Sequence, residues 1–202
     1  MDGPAHARPA ISLIAEGLGP HHAALYIGGS DGASDPGLLR QHGIATIVNC
    51  AVNLDINLVR TAAEEGDRLA VGHGDIRYYK LGLIDGEGNP DTMMLGAYYI
   101  LDGALRQTMP KRDSYPFADG GNVLVNCRGG RSRSVALVAL FLHKQQPHLY
   151  PSLDDALAVI RAKRDLRPDE WFETPKPVLY AAARRASRWI DMVEGRKTVQ
   201  SC

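Results

Sequence analysis

The stretch Val125–Ser134, VNCRGGRSRS, sets one cysteine and three arginines around two adjacent glycines, between an apolar run ending at Val125 and another beginning at Val135. An apolar run, a glycine pair and then a long apolar segment read as a strand, a tight turn and a helix. Such a turn aims backbone N–H groups at one point, and the positive end of the following helix reinforces them, so the stretch is an anion cradle. Cys127 stands at the edge of that cradle, where the same donors favour thiolate over thiol.

A thiolate beside a phosphate site is suited to in-line attack on phosphorus, with a cysteinyl-phosphate that water then hydrolyses. Arg133 can fork two N–H donors onto the equatorial oxygens, a geometry lysine does not provide. Gly130 lets the backbone approach the phosphate closely. Ser134 can hydrogen-bond the sulfur and assist its departure in the second step. The loop residues Arg128, Gly129, Gly130, Arg131, Ser132 and Arg133 are thus the candidate phosphate-binding set, with Cys127, Arg133 and Ser134 as candidate catalytic residues.

Outward from this stretch, short β-rich runs occur at Ile11–Ala15, Ala24–Gly28, Ala45–Cys50, Ile76–Leu83 and Asn122–Cys127. Helical patterns lie between and after them. Asp35-Pro36 followed by GLLRQHG reads as a cap, a first-turn proline and a glycine stop. Ile56–Glu65 reads as a second helix, and Thr92–Gln107 places Met94, Tyr98, Leu101 and Leu105 on one face. SVALVALFLHKQ is apolar nearly all round, as in a helix buried beneath a sheet. Ser152 and Asp155 form a capping-box variant that opens a helix with Leu153, Leu157 and Ile160 inward. Val178, Ala182, Ala186, Trp189 and Val193 mark a last amphipathic helix. The expected architecture is α/β: a central, mostly parallel sheet of about five strands flanked by helices.

With 202 residues the chain suits one domain, expected over residues 11–194, with a loose arm at 1–10 and a tail at 195–202. Lys and Arg number 23, as do Asp and Glu, so no global field favours nucleic acid or anionic membrane. Cys50, Cys127 and Cys202 have no metal-ligand spacing and suit a reduced compartment; His21 and His22 are adjacent and supply no metal triad. No signal peptide and no apolar run approaching about 20 residues is evident. The reading is a cytoplasmic protein needing neither cofactor nor metal. Met109–Gly121 is a polar, broken loop before the final strand, with Lys111 and Arg112 as substrate contacts or solubilising charges.

CRGGRSRS resembles the C-x-x-G-x-x-R-S loop of the cysteine-dependent protein tyrosine phosphatase superfamily. ALYIGG, HGIATIVNCA, YYKLGLID, VLVNC and SLDDALAVIRAKRDLRPDEWF resemble, in order, segments of its dual-specificity branch, so the resemblance runs from about Ile11 to Val193. It implies the superfamily's fold and a metal-independent phosphomonoesterase acting on phosphotyrosine and phosphoserine or phosphothreonine in proteins. It also implies a general-acid aspartate after the strand resembling YYKLGLI. Asp85 matches by position, with Asp91 second and Asp75 only a loop residue.

The resemblance departs at Asn126, where the family usually has a histidine; the asparagine replaces hydrogen bonds without charge, which implies a moderated nucleophile. Arg128 and Arg131 are either solvated or add potential for a polyanion. Their pattern resembles phosphatases of phosphatidylglycerophosphate and phosphoinositides, so a lipid or inositol-phosphate substrate is an alternative reading, and a phosphate-binding module that recognises phosphorylated partners is another. Cys50 reads as packing, or as a resolving thiol if it lies near Cys127. Cys202 reads as incidental. Arg167, Pro168 and Asp169 read as a helix stop or a support beneath the phosphate loop.

Overall fold

Val123, Leu124 and Val125 are all buried although successive side chains of a strand point to opposite faces, so the strand that carries them is covered on both sides. The computed structural model describes residues 8–59, 72–117 and 119–196. Five strands, β1 (Ile11–Leu18), β2 (Ala23–Gly28), β3 (Ile44–Ala51), β4 (Arg77–Leu83) and β5 (Asn122–Asn126), form one sheet in the order β1-β2-β5-β3-β4. β1 runs antiparallel to β2, and the other neighbours are parallel. The expected five-strand, mostly parallel α/β sheet is therefore the one observed.

Two layers cover it. α1 (Ser30–Ala33) and α2 (Pro36–Gln41) close one face, where Ala33 and Leu39 cluster with Tyr26, Ile47 and Leu124. Asp35 caps α2 by accepting from the amides of Gly37 and Leu38, with Pro36 in the first turn. The other face carries α3 (Met93–Arg106), α4 (Arg133–Gln145), α5 (Leu153–Lys163) and α6 (Pro177–Val193). α4 lies at the centre of this layer and is buried nearly all round, from Arg133 through Leu142. Truncating Leu137 to alanine there would cost about 2–5 kcal/mol through lost burial and a cavity.

The capping box forms as expected, with Ser152 Oγ accepting from the Asp155 amide and the Asp155 carboxylate accepting from the Ser152 amide. Met94, Tyr98, Leu101 and Leu105 are the buried face of α3. Three expectations need correction. In α6 the buried stripe is Leu179, Ala183, Ala186 and Ile190: Ala186 is buried as expected, Leu179, Ala183 and Ile190 lie one position on from Val178, Ala182 and Trp189, and Val193 is 68% exposed. The helix is alanine-rich, so two adjacent stripes fit the same spacing; the observed one turns two small residues inward and lets the helices approach closely. Ile56–Val59, the start of the expected second helix, is irregular, and the rest of that segment lies outside the described residues. Arg8–Ala10, assigned to a loose arm, are held: Arg8 pairs with Glu170, and the Pro9 and Ala10 carbonyls accept from Arg164 and the Gly29 amide.

β5 is the middle strand, and the stretch Cys127–Ser134 leaves its C-terminal end. Met109–Gly121 enters at the other end, with Tyr115 and Phe117 beside Arg77 at the start of β4. Lys111 and Arg112 thus lie in the segment that leads into β5, at the end of that strand opposite Cys127. No described helix is long and apolar enough to cross a membrane.

Candidate active site

Cys127 follows directly on β5 and is 2% exposed. Its Sγ lies 3.4 Å from Ser134 Oγ in the first turn of α4. Burial works to raise the thiol's pKa. The Ser134 hydroxyl, the Ser134 amide, the Arg133 charge and the Arg131 amide together outweigh it, leaving Cys127 below the ordinary thiol value. The strand-turn-helix geometry delivers this arrangement: β5 fixes the sulfur, and the turn and helix end bring amides to it.

The turn depends on Gly130. Its φ is +61°, and a Cβ there would stand 2.5 Å from the Gly28 carbonyl oxygen of β2 and 2.8 Å from Arg164 Nη2. Gly129 is less constrained, since a Cβ would meet only the side chain of Arg131, at 3.5 Å. Ser132 precedes α4, and its hydroxyl accepts from the Lys176 amide at 3.3 Å.

Arg133 is buried, and its guanidinium is aimed by two oxygens. Nη1 donates to Asn53 Oδ1 at 3.0 Å and to the Leu83 carbonyl at 3.1 Å. With both N–H groups of Nη1 so engaged, the edge formed by Nε and Nη2 is the one left to fork an oxyanion. Nε is buried without a hydrogen-bond partner among the described residues.

Asp85 lies just beyond β4, with Oδ1 4.0 Å from Arg133 Nε. Lys176 holds this loop, donating to the Asp85 carbonyl at 2.9 Å and standing 3.7 Å from Oδ2. Asp91 is directed elsewhere, paired with Arg185 of α6 at 2.7 Å. Of the two candidate acids, only Asp85 meets the phosphate-loop arginine. Asp75 is in the bend preceding β4.

The three loop arginines have separate surroundings. Arg131 contributes its amide to the sulfur, while its guanidinium lies 3.1 Å from Glu173 and 3.6 Å from Glu170. Its expected surplus of charge is therefore matched by two carboxylates. Arg128 is exposed, and its carbonyl accepts from the Ser30 amide at 2.8 Å. Arg167–Asp169 enter a 3₁₀ turn, Pro168–Glu170, whose Glu170 also engages Arg8 and Arg167.

Asn126 is fully buried; Nδ2 reaches only the Cys127 carbonyl, at 3.5 Å, and Oδ1 has no partner among the described residues. Cys50 of β3 shares the core cluster with Cys127. Burial pushes its thiol well above the ordinary value, Cys127 adds to this, and Arg133 opposes. His21 and His22 occupy the turn between β1 and β2, and Cys202 lies outside the described residues. Asn53, Arg164, Glu170 and Lys176 are contributors that the sequence did not mark, because each is remote from Cys127 along the chain.

No family model matches the chain, and neither does any curated protein. Solved structures do. A mouse protein described as a candidate dual specificity phosphatase, complexed with zinc tungstate, is 20% identical, with a TM-score of 0.61 over 98% of this chain and 99% of that one. Human DUSP28 is 16% identical, with a TM-score of 0.59 over 90% of this chain and 99% of that one. Human tyrosine phosphatase-like serine/threonine/tyrosine-interacting protein is 19% identical, with a TM-score of 0.56 over 82% and 92%. The likeness is one of fold, and the fold is that of the dual-specificity phosphatases that the sequence resembles.

Proposed function

We propose that the chain is a cysteine-dependent phosphomonoesterase acting on phosphorylated protein side chains. The observation that carries this reading is the buried Cys127 sulfur, held below the ordinary thiol pKa, in one site with a buried arginine that has a free edge.

The Cys127 thiolate attacks phosphorus in line, forming an S–P bond as the P–O bond to the leaving oxygen breaks. The Arg133 edge holds the equatorial oxygens, whose charge must be stabilised through the transition state. Protonated Asp85 gives its proton to the departing oxygen. Its carboxylate then takes a proton from the water that attacks the cysteinyl-phosphate. The Ser134 hydroxyl donates to the leaving sulfur, inorganic phosphate is released, and Cys127 returns to thiolate. No step calls for a metal or an organic cofactor.

The surroundings of Arg131 favour a phosphoprotein over a lipid or inositol polyphosphate. Glu170 and Glu173 answer its charge on the rim, where a polyanion would need surplus cation. The test is phosphate release from an aryl phosphate, a phosphopeptide panel and phosphoinositides by wild type and Cys127→Ser. Turnover of phosphopeptides by wild type alone is expected. Preference for phosphoinositides would transfer the reading to lipid, and no release from any substrate would overturn it.

A further inference from the structure

Arg164, at the end of α5, is the bulkiest of the fully buried side chains, 1% exposed. Nε donates to the Gly130 carbonyl at 3.2 Å, and Nη1 donates to the Pro9 carbonyl at 2.8 Å and to Ser12 Oγ at 3.0 Å. Every one of these acceptors is neutral, and no carboxylate pairs with Arg164 among the described residues. A buried cation without a countercharge is costly, so one is to be sought nearby.

The groups around the site from each element are few. β3 brings Cys50, a neutral thiol; α4 brings Arg133 and Ser134; Asp85 and Lys176 meet the loop through Arg133 and Ser132; Glu170 and Glu173 are engaged by Arg131 of the loop, and Glu170 by Arg8 as well; α5 brings Arg164. Burial lowers the Arg164 pKa to about 10, Cys127 acts to raise it and Arg8 to lower it. The guanidinium thus stays charged at neutral pH beside the loop whose Gly130 carbonyl it holds, and the sulfur of that loop is a group whose negative charge favours it.

We infer that Arg164 supplies the buried positive charge behind the phosphate loop that holds Cys127 as a thiolate, a role the neutral Asn126 does not fill. Arg164 touches the loop backbone rather than substrate, so it is a positioning residue. The inference rests on the proposed function only in giving that thiolate a use.

Iodoacetamide alkylation of the full chain, followed against pH on the Cys127 peptide by mass spectrometry, needs no substrate and so separates the two readings. Arg164→Gln is expected to slow alkylation at pH 7 about five- to tenfold and to move its midpoint to higher pH. Arg164→Lys keeps the charge without the fork and is expected to stay within about twofold of wild type. Adding Asn126→His to Arg164→Gln is expected to return the midpoint towards wild type. A folded Arg164→Gln protein with the wild-type midpoint overturns the inference. Should that variant not fold, Arg164→Lys decides: a wild-type midpoint supports the role of charge, and a raised one overturns it. A midpoint that shifts in a chain releasing no phosphate overturns the proposed function and leaves the role of Arg164 standing.

Discussion

Asp85 Oδ1 and Arg133 Nε stand 4.0 Å apart, both buried and both without a hydrogen-bond partner among the described residues. An acceptor and a donor left facing each other suit a group that enters between them. Asp85→Asn is expected to lower turnover of poor leaving groups by about 10²–10⁴ and that of an activated aryl phosphate far less, because only the former needs a proton. Asp91→Asn should leave both substrates within about twofold. A loss with Asp91→Asn instead would move the acid.

Asn53 fixes which edge of Arg133 is free. Its side chain sits on an exposed turn, so Asn53→Ala should leave the chain folded, at some cost in thermal stability from the lost bond to Arg133. Loss of a hydrogen bond to a charged group is worth about 1.5–3 kcal/mol, so inhibition by inorganic vanadate should weaken by about tenfold or more. Unchanged inhibition would mean that the Leu83 carbonyl suffices.

On the proposed mechanism Ser134 acts on sulfur twice, favouring the thiolate before attack and assisting its departure afterwards. Ser134→Ala should shift the acidic limb of kcat/KM to higher pH, since the hydroxyl lowers the thiol pKa. It should also convert steady turnover of an aryl phosphate into a burst followed by a slow phase, measured by stopped flow.

The Cys127 thiol is depressed in the folded chain from an ordinary value of 9.0, so its contribution to stability has a definite sign. It is fully present above the unfolded pKa and is lost as pH falls through the folded one. The unfolding free energy of wild type relative to Cys127→Ser should therefore rise with pH across that window, by at most about 1.4 kcal/mol per unit. Urea titrations at several pH values measure it; a flat difference would mean an unperturbed thiol.

Gly130 combines a left-handed φ with backbone contact, whereas Gly129 has neither. Gly130→Ala should destabilise by about 2–4 kcal/mol, and Gly129→Ala by no more than about 1 kcal/mol, in the same titrations.

The phosphate loop was legible because its chemistry is contiguous: Cys127, Gly130, Arg133 and Ser134 act at spacings visible on one line of sequence. The strands were legible because burial on both faces writes them as apolar runs. Arg164 was not, since a basic residue in the last turn of a helix reads as a solvated cation, and only packing of α5 against β1 and the loop turns it inward. Asn53 reads as an ordinary turn former until Arg133, from the other half of the chain, arrives beside it. Arg131 was half read: its amide serves the loop, but the carboxylates that hold its guanidinium come from a segment 39 to 42 residues later. α1 has four residues and no periodicity, and α6 offered two stripes of equal spacing.

β5 is hydrogen-bonded on both sides, to β2 and β3, and Cys127 is the next residue. In amide hydrogen exchange the Val123–Val125 protons should open only with global unfolding, while those around Gly86 exchange by local fluctuation. That outcome would separate the two proposed chemical tasks by timescale. On the proposed mechanism the nucleophile follows the strand expected to open last, and the proton donor rides on a surface loop pinned by Lys176 and Asn89.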